Sequence, residues 1–294
     1  MLDLTAFAEE VGADGPVTAV GGRTQWDVGG PVDPSAREVR APAGIVEYEP
    51  AEMTVRCGAG TTVAELDTAL GEHGQCVALP AWDGATVGGV LAVGRSGLRR
   101  LRFGPARDAL LEARYVSAEG RVVKAGGPTV KNVSGFDLCR LLVGSFGTIG
   151  LLAEVVLRCR PLPAASRWLG GQAEPFELFH RLHQPSSILW DGTTTWVLLE
   201  GDGDDVEGQA RMSGLADVDG PPPLPAGGRI STRPSALRTL DGTFGAEIGV
   251  GIVHTAEPAP PVPLPPGVAE LNRRIKASFD PTGRLNPGRA VAAA

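Results

Sequence analysis

Residues 130–155 read VKNVSGFDLCRLLVGSFGTIGLLAEV and place two glycine-containing turns directly before an apolar strand. The first turn lies within Lys131–Asp137 and the second within Gly144–Gly150, with a short helical turn predicted over Asp137–Val143. Gly150–Arg160 alternates like a half-buried strand. Glycine lets the backbone approach another group closely, so both turns are candidates for ligand binding, although each alone fits an ordinary turn equally well.

Two comparable loops occur earlier in the chain. Val20–Trp26 (VGGRTQW) ends a short buried strand predicted at residues 17–22, and Pro80–Gly89 (PAWDGATVGG) follows a strand predicted at 75–80. A bound diphosphate needs several backbone N–H groups that converge on it, and small residues permit that approach. Neither loop is a G-x-G-x-x-G fingerprint or a P-loop. Four such loops in this order and spacing favour a cofactor site over four unrelated turns.

The other elements of this half are short strands and one well-marked helix. Strands are predicted at Gly44–Pro50 and Met53–Gly58, and a helix capped by Thr62 carries apolar residues at helical spacing. A β-hairpin is predicted from residues 109–116 and 121–125. The Pro161-Leu162-Pro163 break then marks the end of an α+β domain over residues 1–163.

The middle of the chain predicts a second, smaller α+β domain over residues 164–256. Its elements follow the order β-α-β-β-α-β, the split-βαβ (ferredoxin-like) arrangement of an antiparallel sheet covered by two helices. The predicted ranges are 167–171, 175–183, 187–190, 194–200, 206–215 and 246–254. Residues 257–294 are predicted as a proline-rich linker, an amphipathic helix at 268–279 and the turn-rich tail DPTGRLNPGR.

Composition excludes several classes of protein. The net charge of −7 argues against nucleic-acid binding, which requires a basic face. The four cysteines have no metal or iron–sulfur spacing and are expected to be buried, reduced thiols. Because no signal peptide and no apolar run of about 20 residues occur, we expect a cytoplasmic protein without a transmembrane segment.

Taken together, the four loops resemble the FAD-binding domain of the vanillyl-alcohol oxidase / p-cresol methylhydroxylase superfamily. Within that superfamily the likeness is greatest to the FAD-binding subunit of bacterial glycolate oxidase. The matching segments are GGRTQW, GATVGGVLA, RSGLRRLRFGPARD, VKNVSGFDLCRLLVGSFGTIGLLAEV and the terminal DPTGRLNPGR. The resemblance covers residues 17–160 and 275–289, about half of the chain, and implies a two-lobed FAD-binding domain.

The resemblance also implies which residues would hold the cofactor. Numbered in chain order, the first loop (Val20–Trp26) and the second loop (Pro80–Gly89) would hold the diphosphate from the two lobes. The third loop (Lys131–Asp137) and the fourth loop (Gly144–Gly150) would border the flavin and the adenine. The tail would return near the flavin ring. These residues are Gly21, Gly22, Arg23, Thr24, Gln25, Thr86, Val87, Gly88, Gly89, Ser96, Gly135, Asp137, Thr148, Ile149 and Asn286. Arg102 and Asp108 also match family positions, although a structural ion pair would explain them equally well.

The sequence departs from the family pattern in ways that bear on the cofactor. Residues 94–97 read Gly-Arg-Ser-Gly where an Asn-Ala-Ser-Gly-like loop is usual, and Ser134 and Phe136 replace the commoner Ala and Tyr. Covalent attachment in this superfamily uses a His or Cys in the cofactor loops, and the first and second loops contain neither. We therefore expect FAD to be bound non-covalently.

The resemblance implies an FAD-dependent oxidoreductase subunit that oxidises, or relays electrons from, a 2-hydroxy acid such as glycolate. Its partners would be a catalytic flavoprotein and an iron–sulfur subunit. A free-standing FAD-dependent dehydrogenase of another small substrate and a flavin-free structural subunit remain alternatives. The candidates for catalysis in the middle domain are His180, Arg181, His183 and His254. His180 and His183 fit a solvated helix edge better than an active site, and no residue is assigned to catalysis.

Overall fold

The structure, a computed structural model, describes residues 2–127, 137–259 and 263–289. The chain forms two compact units. The first comprises residues 1–97, 105–161 and 263–294, and the second comprises residues 98–104 and 162–262. The sequence of the first unit is therefore interrupted twice, by a short segment and by a long segment that together form the second unit.

The helices are α1 (Leu4–Val11), α2 (Val63–Gly71), α3 (Val87–Val93), α4 (Arg100–Phe103), α5 (Leu138–Leu142), α6 (Pro175–Arg181), α7 (Gly203–Ser213) and α8 (Pro266–Phe279). The strands of the first unit are β1 (Val17–Ala19), β2 (Arg37–Val39), β3 (Ile45–Glu49), β4 (Thr54–Gly58), β5 (Gln75–Val77), β6 (Leu110–Val116), β7 (Val122–Gly126) and β8 (Leu151–Pro161). Those of the second unit are β9 (Ala165–Gly171), β10 (Ser187–Trp190), β11 (Thr195–Gly201), β12 (Ala216–Val218), β13 (Gly228–Ser231), β14 (Phe244–Glu247) and β15 (Ile252–Thr255).

The first unit contains two sheets, which correspond to two lobes. The small one pairs β1 with β2 in parallel, and Leu285 of the tail adds a bridge to Val17. The larger sheet has the order β3-β4-β8-β6-β7, and β5 pairs with the far end of β8. The long strand β8 is buried over nearly all its length and forms the centre of the larger sheet.

Local sequence explains the regular elements of this unit. Helix α2 begins with a capping box between Thr62 and Glu65 and buries Val63, Leu66 and Leu70. The predicted hairpin is present as β6 and β7, with Gly120 at φ 72° in its turn. The amphipathic helix predicted at 268–279 is present as α8.

The loop predicted at residues 80–89 ends in helix α3, and the short helix α4 follows it. Thr86 caps α3 by accepting a hydrogen bond from the N–H of Gly89. Helix α3 buries Val87, Val90 and Leu91, and this burial outweighs the low helix propensity of the two glycines. Gly88 is required there because a Cβ would lie 2.8 Å from the carbonyl oxygen of Ala59.

The second unit is an antiparallel sheet with the order β12-β9-β11-β10-β14-β15-β13. Helices α6 and α7 contribute Leu178, Val206 and Ala210 to the apolar core with the sheet. The first four strands of this order, together with α6 and α7, form the predicted split-βαβ arrangement. The α+β class is thus confirmed for both units.

One predicted strand of the second unit is wrong. The range 246–254 is a hairpin, β14 and β15, that reverses at Gly249 and Gly251, both with φ near 80°. The strand that completes the split-βαβ order is instead β12, a three-residue strand with no buried residue. Its three exposed residues, Ala-Asp-Val, are too few for periodicity to predict a strand, and the pairing with β9 shows it.

Candidate functional site: a glycine-lined cavity in the first unit

Two adjoining cavities lie where the small sheet, α3 and the tail meet. Their empty volumes, including the open mouths, are about 600 and 520 Å3. They share six lining residues, so together they form one elongated depression: Ala19, Gly21, Thr86, Gly89, Ala92 and Asn286. Most of the remaining lining is apolar or glycine, as expected for a site that takes a large ring-bearing cofactor.

The first glycine loop leaves a run of backbone donors unpaired. The N–H groups of Gly21, Gly22, Arg23, Thr24 and Gln25 have no hydrogen-bond acceptor among the described residues. All five residues line the first cavity. Arg23 has φ 57°, and alternation between left-handed and right-handed backbone turns successive N–H groups toward one point. This loop can therefore bind an anion through its main chain.

The second glycine loop lines the cavity, but its N–H groups at residues 87–89 already have acceptors within the protein. The N–H groups of Val87 and Gly88 donate to the carbonyl oxygens of Thr61 (2.9 Å) and Ala59 (2.7 Å). That of Gly89 donates to the Thr86 hydroxyl (3.2 Å). The first turn of α3 is thus already satisfied by protein, and the donors for an anion come from the first loop.

The two loops touch each other, which explains their glycines. A Cβ on Gly21 would lie 2.2 Å from the Thr86 Oγ1 atom, and one on Gly22 would lie 1.8 Å from the Gly84 carbonyl oxygen. The glycine pair was predicted to make room for a diphosphate. In the structure it also makes room for the backbone of the second loop, which places the donor run at the cavity wall.

Asn286 of the tail joins both lobes inside the depression. It is only 8% exposed, and its side chain accepts a hydrogen bond from Thr18 and donates one to the carbonyl oxygen of Phe146. Its own N–H donates to Val17 (2.8 Å). Because Thr18 lies on β1 and Phe146 precedes β8, one carboxamide fixes the spacing of the two cavity walls.

Backbone strain concentrates in this site. The non-glycine residues with positive φ among the described residues are Arg23, Met53, Phe146, Gln184 and Asn286. Arg23, Phe146 and Asn286 all line the first cavity. Such conformations cost free energy and persist where the surroundings enforce them, which is typical of ligand sites.

The other residues suggested by the resemblance lie outside the cavity lining. Val87 is buried in α3, and Thr148 and Ile149 are buried next to β8. The Ser96 hydroxyl accepts a hydrogen bond from the N–H of Ala106 (3.0 Å), and Asp137 caps α5. Gly135 falls within residues 128–136, outside the described residues.

Arg102 and Asp108 have different partners. The Arg102 guanidinium donates to the carbonyl oxygen of Glu200, whereas Asp108 lies 3.6 Å from Arg140. The structure thus gives no support to the idea that they form an ion pair with each other.

The sequence analysis missed nine residues that line the first cavity, and those with a polar or aromatic side chain are Thr18, Trp26, Phe146 and Arg289. The motifs that carry the resemblance contain three of these residues: Trp26, Phe146 and Arg289. Those motifs indicated that the segments lie near the cofactor, but not that these side chains line the cavity. Thr18 carries no motif, and only its contact with Asn286 reveals it.

No histidine or cysteine is among the described lining residues of this cavity. His180 and His183 are exposed, and His254 forms a 2.9 Å contact with Glu247 in the second unit. The cysteines form no disulfide among the described residues, and burial raises the pKa of Cys57 to about 12. Among the described residues no group of three or more His, Cys, Asp or Glu side chains could hold a metal ion.

Comparison with protein families identifies the cofactor of the region that forms most of the depression. Residues 3–126 match the family described as "FAD binding domain". This region supplies the unpaired donor run, α3 and most of both cavities. Residues 3–126 form an FAD-binding domain. FAD is therefore its cofactor, and the donor run of the first loop has the chemistry that the diphosphate of FAD requires.

Several curated proteins are similar in sequence to this FAD-binding chain. Glycolate oxidase subunit GlcE of Escherichia coli (strain K12) is 33% identical over 215 residues, 70% of this chain and 61% of that protein. D-lactate dehydrogenase of Archaeoglobus fulgidus is 42% identical over 106 residues, 36% of this chain and 24% of that protein. Glycolate oxidase subunit GlcD of Bacillus subtilis (strain 168) is 38% identical over 85 residues, 29% of this chain and 18% of that protein. The chain therefore spans less than two thirds of each.

Solved structures show the same fold at low identity. Alkyldihydroxyacetonephosphate synthase superposes with a TM-score of 0.67 at 15% identity, over 97% of this chain and 73% of that one. 6-hydroxy-D-nicotine oxidase from Arthrobacter nicotinovorans superposes with a TM-score of 0.56 at 18% identity, over 75% and 53% of the two chains. No helix in the described part of the chain combines the length and the apolar character that crossing a membrane requires.

Proposed function

We propose that this chain is an FAD-dependent oxidoreductase subunit that accepts or relays electrons from a 2-hydroxy acid. The observation that carries the proposal is the run of unpaired N–H groups at residues 21–25 on the wall of the glycine-lined depression. The substrate class rests on the similarity to the glycolate oxidase subunits and to a D-lactate dehydrogenase.

The chain's own residues would hold the cofactor as follows. The loop Gly21–Gln25 would donate main-chain hydrogen bonds to the diphosphate, and the Gln25 side-chain oxygen, buried without a donor among the described residues, would accept one from FAD. Asn286 would keep the two walls at a fixed separation. When bound, FAD supplies the electron-accepting chemistry that no protein side chain provides.

We further propose that FAD is held non-covalently. Neither cavity has a histidine or cysteine among its described lining residues, so the described wall offers no nucleophile for attachment to the flavin. Heat or acid denaturation should then release FAD into the supernatant. Yellow protein in the pellet after acid precipitation would contradict this.

We also propose that the chain works in a complex with a catalytic flavoprotein and an iron–sulfur subunit, in the cytoplasm. The support is its similarity to proteins named as glycolate oxidase subunits.

The test is anaerobic reduction of the purified, FAD-loaded chain by glycolate, D-lactate and L-lactate. We expect slow or no bleaching of the flavin by the isolated chain and rapid bleaching once a catalytic flavoprotein partner is added. Rapid bleaching of the isolated chain would instead favour a free-standing dehydrogenase. A protein that takes up no FAD would leave only a structural role.

A further inference from the structure

The rim of the first cavity is built from two segments that are far apart in sequence. We call residues 23–33 the rim loop and residues 284–289 the strap. The N–H of Asp33 donates to the carbonyl oxygen of Pro287 (2.9 Å). The Arg289 guanidinium donates to the carbonyl oxygens of Val28 (2.6 Å) and Gly30 (2.5 Å). The strap therefore closes against the rim loop along its whole outer end.

An indole lies at the centre of this contact. The guanidinium carbon of Arg289 is 4.8 Å from the Trp26 ring centroid, and that of Arg23 is 4.7 Å from it. Both distances suit a cation–π interaction. Trp26, Arg23 and Arg289 all line the cavity, so this packing forms part of its mouth.

The two ends of the strap are held differently. Its inner end is anchored: Arg284 is 5% exposed and donates to four carbonyl oxygens, and Leu285 bridges to Val17. Among the described residues, the outer end, residues 287–289, makes its hydrogen bonds to the rim loop, apart from a bond of 3.2 Å from the Arg289 N–H to the Asn286 carbonyl oxygen within the strap. Gly29 and Gly30 of that loop have φ 90° and 85°, where glycine alone is unstrained, so the course of the rim loop toward the strap depends on this glycine pair.

The carboxylate of Asp27 acts on the charge of Arg289 at the outer end, but from beyond ion-pair distance. Arg289 has no carboxylate within ion-pair distance among the described residues, and burial lowers the pKa of this guanidinium. Arg23 is paired with Glu38 at the outer side. The wall beside these groups is the run of unpaired N–H donors, so guanidinium and N–H groups meet on one side of the cavity.

We propose that the rim loop and the outer strap form a clasp that the FAD diphosphate closes, with Arg289 and Trp26 as positioning residues that set how slowly FAD leaves. This inference rests on the proposed binding of FAD in this cavity. An anion beside Arg289 and the donor run stabilises the closed arrangement, and by linkage the closed arrangement retains the anion. Contacts made only when the clasp is closed act mainly on the dissociation rate.

The first experiment measures FAD dissociation from the full chain by the recovery of free-flavin fluorescence after dilution. We expect Arg289→Ala to release FAD at least tenfold faster than the wild type. Arg289→Lys keeps the charge but loses the planar stacking and should give an intermediate rate. Arg273→Ala, an exposed arginine on α8, is the matched control and should release FAD at the wild-type rate.

The second experiment separates clasp closure from general stabilisation. Trypsin cleavage after Arg289 is followed by mass spectrometry in the wild type with FAD, ADP or riboflavin at saturation. We expect protection by FAD and ADP, which carry the diphosphate, and none by riboflavin. The melting temperature of apo Arg289→Ala should fall by no more than about 2–4 °C, because the contacts with Val28, Gly30 and Trp26 are lost while the anchor of the strap is intact.

Three results would overturn the clasp: release of FAD from Arg289→Ala at the wild-type rate, equal protection by riboflavin, or a larger fall in the melting temperature of the apo variant that accounts for the faster release. A wild-type chain that takes up no FAD would instead refute the proposed function, and the clasp with it. Because wild-type uptake is measured before any variant, the two failures are distinguishable.

Discussion

At the scale of single residues, Gly22 shows why the cofactor site requires a residue without a Cβ atom. Its α-carbon lies so near the second loop that a Cβ would overlap the Gly84 carbonyl oxygen, which is backbone and cannot rotate away. The loop would have to move as a whole, and with it the donor run that it presents to the cavity. Glycine at this position therefore serves the protein's own packing and, through it, the ligand.

We predict that Gly22→Ala destabilises the chain by about 1–3 kcal/mol, the usual cost of overpacking. It should also weaken FAD binding at least tenfold, which corresponds to about 1.4 kcal/mol. Urea unfolding and FAD titration would measure the two effects. Gly71→Ala is the control: a Cβ there meets nothing within 4 Å, and in a helix alanine should stabilise by up to about 1 kcal/mol.

Asp280 gives a pH dependence at the same scale. Burial of its carboxyl, which is 2% exposed, favours the protonated form, but bonds from Lys276 and from the N–H groups of Leu285 and Arg284 outweigh it. The pKa of Asp280 is therefore lower than in the unfolded chain, where it is about 3.9. A depressed pKa stabilises the fold above the unfolded value and loses that effect as the pH falls through the folded one.

We therefore expect Asp280→Asn to lower the free energy of unfolding at neutral pH by about 1–3 kcal/mol. The difference from the wild type should shrink below about pH 4, where the wild-type carboxylate is itself lost. Urea unfolding at a series of pH values measures this, with the exposed Asp219→Asn as control. A difference that stays constant down to the lowest pH would show that the Asp280 charge is not what stabilises the strap.

At the scale of elements, α3 is held at the cavity by its cap and its buried face rather than by intrinsic helix propensity. The Thr86 hydroxyl accepts from Gly89, and the same oxygen fills the space left by Gly21 of the first loop. One hydroxyl thus links the start of a helix to the spacing of two loops.

We predict that Thr86→Ala costs about 1 kcal/mol of stability through the lost cap. FAD affinity should fall as well, because the first loop loses its packing partner. Thr86→Ser keeps the cap and should retain most of both quantities, as measured by thermal unfolding and FAD titration. Equal losses in the serine and alanine variants would show that the methyl group, not the hydroxyl, matters.

At the scale of the whole molecule, the first unit is assembled from chain segments that lie far apart in sequence. Arg284 of the tail donates to the carbonyl oxygens of Val11, Asp14 and Gly15 near the N-terminus and to that of Ala118. Asn286, two residues later, joins the two cavity walls. The tail is thus a structural member of the FAD-binding unit.

We expect Arg284→Ala to destabilise the apo protein by on the order of 3 kcal/mol, since several buried carbonyl groups lose a charged donor at once. Arg284→Lys should recover only a small part, because an ammonium group cannot reproduce the planar fork. Urea unfolding tests this, with the exposed Arg274→Ala as control. A lysine variant as stable as the wild type would show that charge alone suffices.

The sequence by itself determined the class of the fold, the hairpin of β6 and β7, the helices α2 and α8, and the family of the FAD-binding domain. These features rest on short-range patterns: caps, turns, periodicity and glycine loops that occupy neighbouring positions. The family resemblance, which rests on such local motifs, pointed to Gly21–Gln25 and Asn286, which line the cavity. They are local, so a linear reading could reach them.

Only the tertiary structure decided the rest. It showed that residues 87–93 are helical and that residues 246–254 form two strands. It also showed that N–H groups of the second loop donate to Ala59 and Thr61, whereas those of the first loop have no acceptor among the described residues. It also brought Arg289 against Trp26 across more than 260 residues. Each of these depends on which distant groups become neighbours, and burial against such neighbours outweighs local preference.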